Sequence, residues 1–180
     1  MPQMIYSVAA ILLLGVAFLN INLKVHGSEE RMMFSEQTVE MTGVGAEILD
    51  EIGKHAFDPV VAASSVVIAP SDLSSTAGNA ASTCDPNDAN YAGCTTIGDF
   101  DGKTATRTRT RTHGNATYTI PFNVTSIAVE YVDEAPPHAA SLTPTFAKEV
   151  TIRIETPVLL DANGAPFGFE MKRIYTYPDL

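Results

Sequence analysis

The chain has 180 residues, of which 45% are hydrophobic and 18% are charged. These proportions exclude a disordered polar chain, and the length suits one domain, or one domain with an appendage. The 11 basic and 21 acidic residues give a net charge of −10, which argues against nucleic acid as a partner because phosphate binding needs a basic surface. The 2 cysteines are too few for a zinc ribbon or a disulfide-dense mini-protein.

The segment from residue 1 to residue 23 contains no charged side chain. As a helix it would extend roughly 35 Å at about 1.5 Å per residue, which is enough to cross a bilayer core of about 30 Å. It does not resemble a secretory signal peptide, because no basic segment precedes the apolar run and no small-residue cleavage site follows it. We therefore expect an apolar helix that is surrounded by lipid or by other protein.

The helical pattern continues beyond residue 23 but becomes amphipathic, and no proline occurs between Pro2 and Pro59. Apolar residues recur on one face, and charged residues occupy the other faces. We predict one helix from about residue 3 to about residue 55, loosened at Gly27, Gly43 and Gly45 and ended by Pro59. The apolar stripe consists of Met33, Phe34, Val39, Met41, Val44, Ile48, Leu49 and Ile52.

From Pro59 onward the composition is typical of strands and loops. Strands are predicted at residues 60–69, 104–112, 117–120, 126–133, 145–156 and 168–177, and a long polar loop at 72–102. The connections between the later strands are short, so consecutive strands should pair antiparallel. Val150, Ile152 and Ile154 alternate with polar residues, so one face of the sheet should be covered, and the amphipathic half of the helix should cover it.

Together these elements predict an α+β fold in two parts. Residues 1–57 form a long N-terminal α-helix, apolar over 1–23 and amphipathic over 24–57. Residues 58–180 form a β-rich head whose antiparallel sheet packs against the helix.

Several segments are similar to those of a known family. The sequence AEILDEI at residues 46–52, followed by AFDP at 56–59, resembles the helix end of pilin-like proteins. IGDFDG at 97–102 is similar to the acidic loop that opens their sheet, and VEYVD at 129–133 with AKEVTI at 147–152 resembles their central hairpin. The chain thus resembles type IV pilins and pseudopilins. The resemblance implies a subunit of an extracellular helical filament that is embedded in the inner membrane before assembly and serves adhesion or surface attachment.

The chain departs from that family at its N-terminus. Most type IV pilins carry a basic leader, which a peptidase removes, and a Glu at the fifth position of the mature chain. Here the fifth residue is Ile5, and no acidic residue precedes Glu29. Either the chain is already processed, with Met1 as its new N-terminus, or it belongs to a divergent branch. Without that carboxylate, the register between subunits would come from packing.

Self-assembly also follows from the residues themselves. Identical helices in heterologous contact form a filament when the operator between them does not close. Small residues such as Ala9, Ala10, Gly15 and Ala17 allow helices to approach closely. The alternative is a single-pass anchor for one extracytoplasmic binding domain. The apolar residues that we predict to drive assembly are Ile5, Val8, Ile11, Leu12, Leu13, Leu14, Val16, Phe18, Leu19 and Leu23.

Cys84 and Cys94 lie ten residues apart in the polar loop. In an exported protein two such cysteines form a disulfide by default, and we predict one here. The alternative is a catalytic or metal-binding thiol, but the four histidines show no ligand spacing.

Asp99 and Asp101 stand two residues apart and precede Gly102. Carboxylates at such a turn suit calcium, so a calcium site is one hypothesis, and no other cofactor is expected. The complete calcium-binding loop with its closing Glu is absent from the sequence. Because Asp and Gly are also ordinary turn residues, a solvated acidic loop is the alternative.

Arg107, Arg109 and Arg111 alternate with threonines, which puts the three cations on one face of a strand. An acidic group should lie opposite them, and the acidic loop of the same or a neighbouring subunit is the candidate. The alternative is an exposed strand that its charges keep soluble.

Two further observations concern modification and catalysis. Asn115 and Asn123 begin glycosylation sequons, which also arise by chance in a Thr-rich chain. The sequence contains no nucleophile elbow, phosphate-binding loop, dinucleotide fingerprint or zinc-protease motif, so we expect no enzyme activity.

Overall fold

The computed structural model of the chain describes residues 2–88, 91–113, 116–161 and 163–177, and their side chains except those of residues 2–13, 30 and 113. By its residue contacts the chain divides into two compact units, Met1–Glu40 and Met41–Leu180. The fold class is α+β, as predicted. The elements in chain order are α1 Pro2–Ile52, α2 Pro59–Ala62, the 3₁₀ helices Pro70–Asp72 and Ile97–Phe100, β1 Ala105–His113, β2 Ala116–Tyr131, β3 Ala147–Leu160 and β4 Pro166–Thr176.

The strands form one four-stranded antiparallel sheet in the order β1-β2-β3-β4. Each strand pairs with the next one along the chain, which confirms the prediction from the short connections. In the middle of the sheet, Val150 of β3 lies between Val129 of β2 and Arg173 of β4. The register shifts between Val124 and Ser126, where β2 carries one extra residue and forms a bulge.

The core lies between the last turns of α1 and one face of the sheet. Val150, Ile152 and Ile154 of β3 are buried there, as their alternation predicts. The last turns of α1 therefore cover the alternating face, as expected from their amphipathic pattern. The α1 residues in this apolar cluster are Met41, Val44, Ile48, Leu49 and Ile52.

The first part of the predicted stripe is not buried. Met33, Phe34 and Val39 are all exposed, so the expectation that one stripe from residue 33 to residue 52 faces the sheet was wrong for these three. They belong to the unit Met1–Glu40, whose described residues form a helix alone. A single helix has no second layer against which to bury an apolar stripe.

The predicted strand at residues 60–69 is also wrong. Asp58 accepts a hydrogen bond from the Val60 backbone N–H, and Pro59 occupies the first turn of α2. An acidic N-cap followed by proline starts a helix even where the next residues are β-branched. Val60 and Val61 therefore lie in a short helix.

Two further boundaries differ from the prediction. The strands expected at 117–120 and 126–133 are one strand, β2, which continues through Pro121. Pairing of β2 with β3 begins only at Asn123, so Pro121 pairs with β1 alone and its missing N–H is tolerated. The helix α1 is continuous through Gly27, Gly43 and Gly45, where loosening was expected.

Candidate functional site

Large apolar side chains are exposed on α1 over residues 14–25, which we call the apolar segment. At 3.6 residues per turn these side chains fall on two opposite sides of the helix. Small or polar residues such as Gly15, Asn20 and Asn22 lie between the two sides. The segment therefore has two exposed apolar faces. The exposed residues are Leu14, Val16, Phe18, Leu19, Ile21, Leu23 and Val25.

Five of the residues predicted to drive assembly belong to the apolar segment, and Ile21 and Val25 add to them. Within the described part of the chain, no helix combines the length and the apolarity that crossing a membrane requires. The other five predicted residues, whose side chains lie outside the described ones, are Ile5, Val8, Ile11, Leu12 and Leu13.

A buried ionic cluster connects the chain after α1 to the sheet. Lys148 Nζ on β3 donates to the Phe57 carbonyl oxygen at 2.8 Å and to Asp58 Oδ2 at 3.3 Å, and both charged side chains are fully buried. The Tyr131 hydroxyl lies 3.1 Å from Asp58 Oδ2 and 2.9 Å from the Ser74 carbonyl oxygen. The rings of Phe57 and Tyr131 are both centred 4.9 Å from Nζ. We call Phe57, Asp58, Ser74, Tyr131 and Lys148 the junction cluster.

Hydrogen bonds and burial shift the pKa of Asp58 in opposite directions. Asp58 Oδ1 accepts from the Val60 N–H at 3.1 Å, the Ser74 N–H at 3.2 Å and the Ser74 hydroxyl at 2.9 Å. Burial raises the pKa of Asp58, but these hydrogen bonds and Lys148 outweigh it and hold the pKa below its ordinary value. Burial lowers the pKa of Lys148 in spite of Asp58, and burial also raises the pKa of Tyr131.

The junction cluster was not predicted from the sequence. Lys148 lies in phase with Val150, Ile152 and Ile154, so it is a charged residue at a position where the alternation of β3 predicts burial. That phase was the signal available in the sequence. The partner, Asp58, lies 90 residues away along the chain, and no local pattern connects the two.

The structure surrounds Asp99 with protein donors. Asp99 Oδ2 accepts hydrogen bonds from the backbone N–H and the hydroxyl of both Thr95 and Thr96 at 2.8–3.0 Å, and Oδ1 accepts from the Asn79 amide at 2.9 Å. Burial alone would raise the pKa of Asp99, but these donors hold the pKa well below its ordinary value. Asp99 therefore orders the 3₁₀ turn Ile97–Phe100 as a carboxylate.

Asp101, the second predicted calcium ligand, accepts a hydrogen bond from the Val129 N–H of β2 at 3.1 Å. Among the residues that the structure describes, no group of three or more His, Cys, Asp or Glu side chains is placed to hold a metal ion. Asp101 thus connects the loop before β1 to the sheet, and calcium binding at Asp99 and Asp101 stays a prediction.

Cys84 and Cys94 form a disulfide bond, in agreement with the prediction. The loop that it closes lies along the start of β1. Asn87 Oδ1 accepts from the Thr106 N–H at 2.7 Å, and Arg107 donates to a carbonyl oxygen of the loop at 2.8 Å. The loop therefore covers the beginning of an edge strand, which would otherwise offer its backbone groups to other chains.

The three arginines of β1 lie on the face of the sheet against which α1 packs. Arg109 is opposite Ile120, which is buried, and it forms an ion pair with Glu47 of α1. We had expected the acidic loop to supply the group opposite Arg109. The structure places Glu47 of α1 there instead. Arg107 and Arg111 share this face through the alternation of the strand.

Of the two asparagines that begin glycosylation sequons, the structure describes only Asn123. Asn123 is half-buried and accepts a hydrogen bond from the Thr106 hydroxyl at 3.2 Å. Asn115 lies outside the described residues. Glycosylation at either position stays a prediction.

A cavity of about 120 Å³ lies beside α2, with Pro59, Ser74, Asn79 and Thr96 in its lining. Ligand pockets usually enclose about 300 Å³ or more, so this cavity is too small for most metabolites. Comparison of the chain with protein-family models, with curated proteins and with solved structures found no match.

Proposed function

We propose that this protein is a structural subunit of an extracellular, type IV pilus-like helical filament. The subunit polymerises with copies of itself through its apolar N-terminal helix, after a stage in which the inner membrane holds that helix. The head serves adhesion or surface attachment. The observation that supports this proposal is the row of exposed apolar side chains on α1, which is a helix of 51 residues. Its last turns lie in the core of the unit Met41–Leu180.

The distribution of these side chains favours a polymer over a closed dimer. Two apolar faces on opposite sides of one helix bring each subunit into contact with at least two neighbours, and such contacts propagate when they do not close. Burial of apolar surface is worth about 25 cal/mol per Å², so several hundred Å² on each subunit contribute on the order of 10 kcal/mol against the entropic cost of ordering it in the filament. Gly15 supports close packing between helices, because it has no side chain and nothing in the subunit lies within 4 Å of where a Cβ atom would be.

The head offers polar groups for attachment. Thr106, Thr108, Thr110 and Thr112 alternate with the arginines of β1 and are exposed on the face opposite to α1. Rows of hydroxyl groups on a rigid sheet form hydrogen bonds with polar surfaces at low entropic cost.

The direct test is negative-stain electron microscopy of material sheared from cells that express the protein, combined with mass spectrometry of the filament fraction. We expect thin, uniform filaments in which this chain is the dominant protein. The mass of the N-terminal peptide also shows whether Met1 is the processed end. A chain that stays in the membrane pellet, with no filament containing it, would overturn the proposal in favour of a single-pass membrane-anchored binding domain.

Two variants separate assembly from folding. Leu19→Asp places a charge in the apolar segment, and we expect it to abolish filaments because an unpaired carboxylate would be buried between subunits. Leu142→Asp is the matched control, since Leu142 is fully exposed in the loop between β2 and β3. Filaments of Leu19→Asp at the wild-type yield would contradict assembly through this segment.

A further inference from the structure

The geometry of the junction cluster points to a covalent modification: we propose that Lys148 and Asp58 join in an intramolecular amide bond between Nζ and the side-chain carboxyl carbon. Both side chains are fully buried, and Nζ lies 3.3 Å from Asp58 Oδ2. Groups held at such a separation react as one molecule, which removes most of the entropic cost of bringing them together. The proposal concerns the head alone and does not depend on filament formation.

Lys148 is placed as the nucleophile. The Phe57 carbonyl oxygen accepts a hydrogen bond from Nζ at 2.8 Å, and the rings of Phe57 and Tyr131 are both centred 4.9 Å from the same nitrogen. These groups orient the amine and exclude water from it. Burial lowers the pKa of Lys148, which makes the uncharged, nucleophilic amine easier to reach.

Asp58 is placed as the electrophile. Its Oδ1 accepts from the backbone N–H groups of Val60 and Ser74 and from the Ser74 hydroxyl at 2.9–3.2 Å. Three donors on one oxygen stabilise the negative charge that this oxygen carries when the amine adds to the carboxyl carbon. The other oxygen, Oδ2, faces Nζ and lies 3.1 Å from the Tyr131 hydroxyl, so it is the oxygen placed to leave.

The reaction balances without a further reagent. The ammonium group of Lys148 transfers two protons to Oδ2 of Asp58, the Nζ–carbon bond forms, and the carbon–Oδ2 bond breaks with release of one water molecule. Nothing is oxidised or reduced, and the positive and negative charges of the pair disappear together. The neutral amide replaces a buried ion pair whose desolvation is costly, which favours the product.

The test is the intact mass of the purified full chain, measured after reduction and alkylation of the cysteines. We expect a mass lower than the sequence mass by one water molecule. Trypsin should then give residues 55–103 joined to residues 112–153, because an acylated Lys148 is not cleaved. A cyclic imide at Asp58 cannot mimic the result, since Pro59 has no backbone N–H with which to close the ring.

The wild-type measurement decides the question without any variant. A full sequence mass, or a loss of water located at another residue, would overturn the proposal. Variants then identify the reacting groups: Lys148→Arg should keep the full mass, and Asp58→Asn should lose one ammonia molecule instead of water. Lys172→Arg is the matched control on β4 and should still lose water, because Lys172 pairs with Glu149 at the surface.

Discussion

Gly45 of α1 lies directly against the thioether of Met171 on β4. A Cβ atom at Gly45 would overlap both Met171 Sδ and Ile154 Cδ1, so the glycine sets how closely the helix packs on the sheet. We predict that Gly45→Ala lowers the free energy of unfolding by about 1–2 kcal/mol, because overpacking of the core costs about 1–3 kcal/mol and the helix propensity of alanine offsets only part of it. Urea-induced unfolding of the full chain, followed by circular dichroism, measures this change.

Gly43 is the matched control for that substitution. It lies two residues earlier in the same helix, and nothing lies within 4 Å of the position of its Cβ. Gly43→Ala should raise the free energy of unfolding by about 0.5–1 kcal/mol, because alanine loses less conformational freedom than glycine in a helix. Equal effects at both positions would contradict the close packing of α1 at Gly45.

Removal of Lys148 should destabilise the head strongly. Lys148→Met removes either the cation or, where the amide has formed, the cross-link, and in both cases it leaves Asp58 buried and unpaired, which costs about 3–5 kcal/mol. Chemical denaturation measures the difference. Lys172→Met removes the cation of an exposed pair with Glu149 and should change stability little, since solvent screens such pairs. A Lys148→Met protein as stable as the wild type would show that the junction cluster does not hold the head together.

The disulfide should stabilise the loop before β1. Replacement of Cys84 and Cys94 together by serine opens a loop of about ten residues and should cost about 2–3 kcal/mol, because the unfolded chain regains conformational freedom. We also expect faster amide exchange at Thr106, whose N–H bonds to Asn87 of the loop. Hydrogen exchange with mass spectrometry tests both effects. Unchanged exchange at β1 would mean that the loop covers the strand without the disulfide.

Acid should destabilise the head through Asp99. Its pKa in the folded state lies below the ordinary value of 3.8. As the pH falls, Asp99 therefore takes up a proton in the unfolded chain before it does so in the folded chain. The contribution of Asp99 to the free energy of unfolding should therefore be constant well above pH 3.8 and decrease as the pH falls through and below 3.8. Asp99→Asn should be less stable at neutral pH and show a flatter decrease in acid. An unchanged slope would assign the acid sensitivity to other carboxylates, with Asp58 the first candidate.

Local patterns determined most of the secondary structure. Absence of proline and the helical spacing of apolar residues predicted α1 to within a few residues of Ile52. Alternation predicted β1 and β3, strand-type composition predicted β4, and the short connections predicted the antiparallel order. The two cysteines in the polar loop of a chain expected to be exported predicted the disulfide. These features depend on residues that are near one another in the chain, so the sequence alone specifies them.

The tertiary structure decided which of these patterns are buried and which charges meet. The apolar stripe of α1 is buried from Met41 onward and exposed at Met33, because burial needs a second layer that the helical pattern does not encode. Arg109 meets Glu47, and Lys148 meets Asp58, across the core and not along the chain. Long-range pairs of this kind follow from how helix and sheet pack, and a single sequence carries no periodicity that records them.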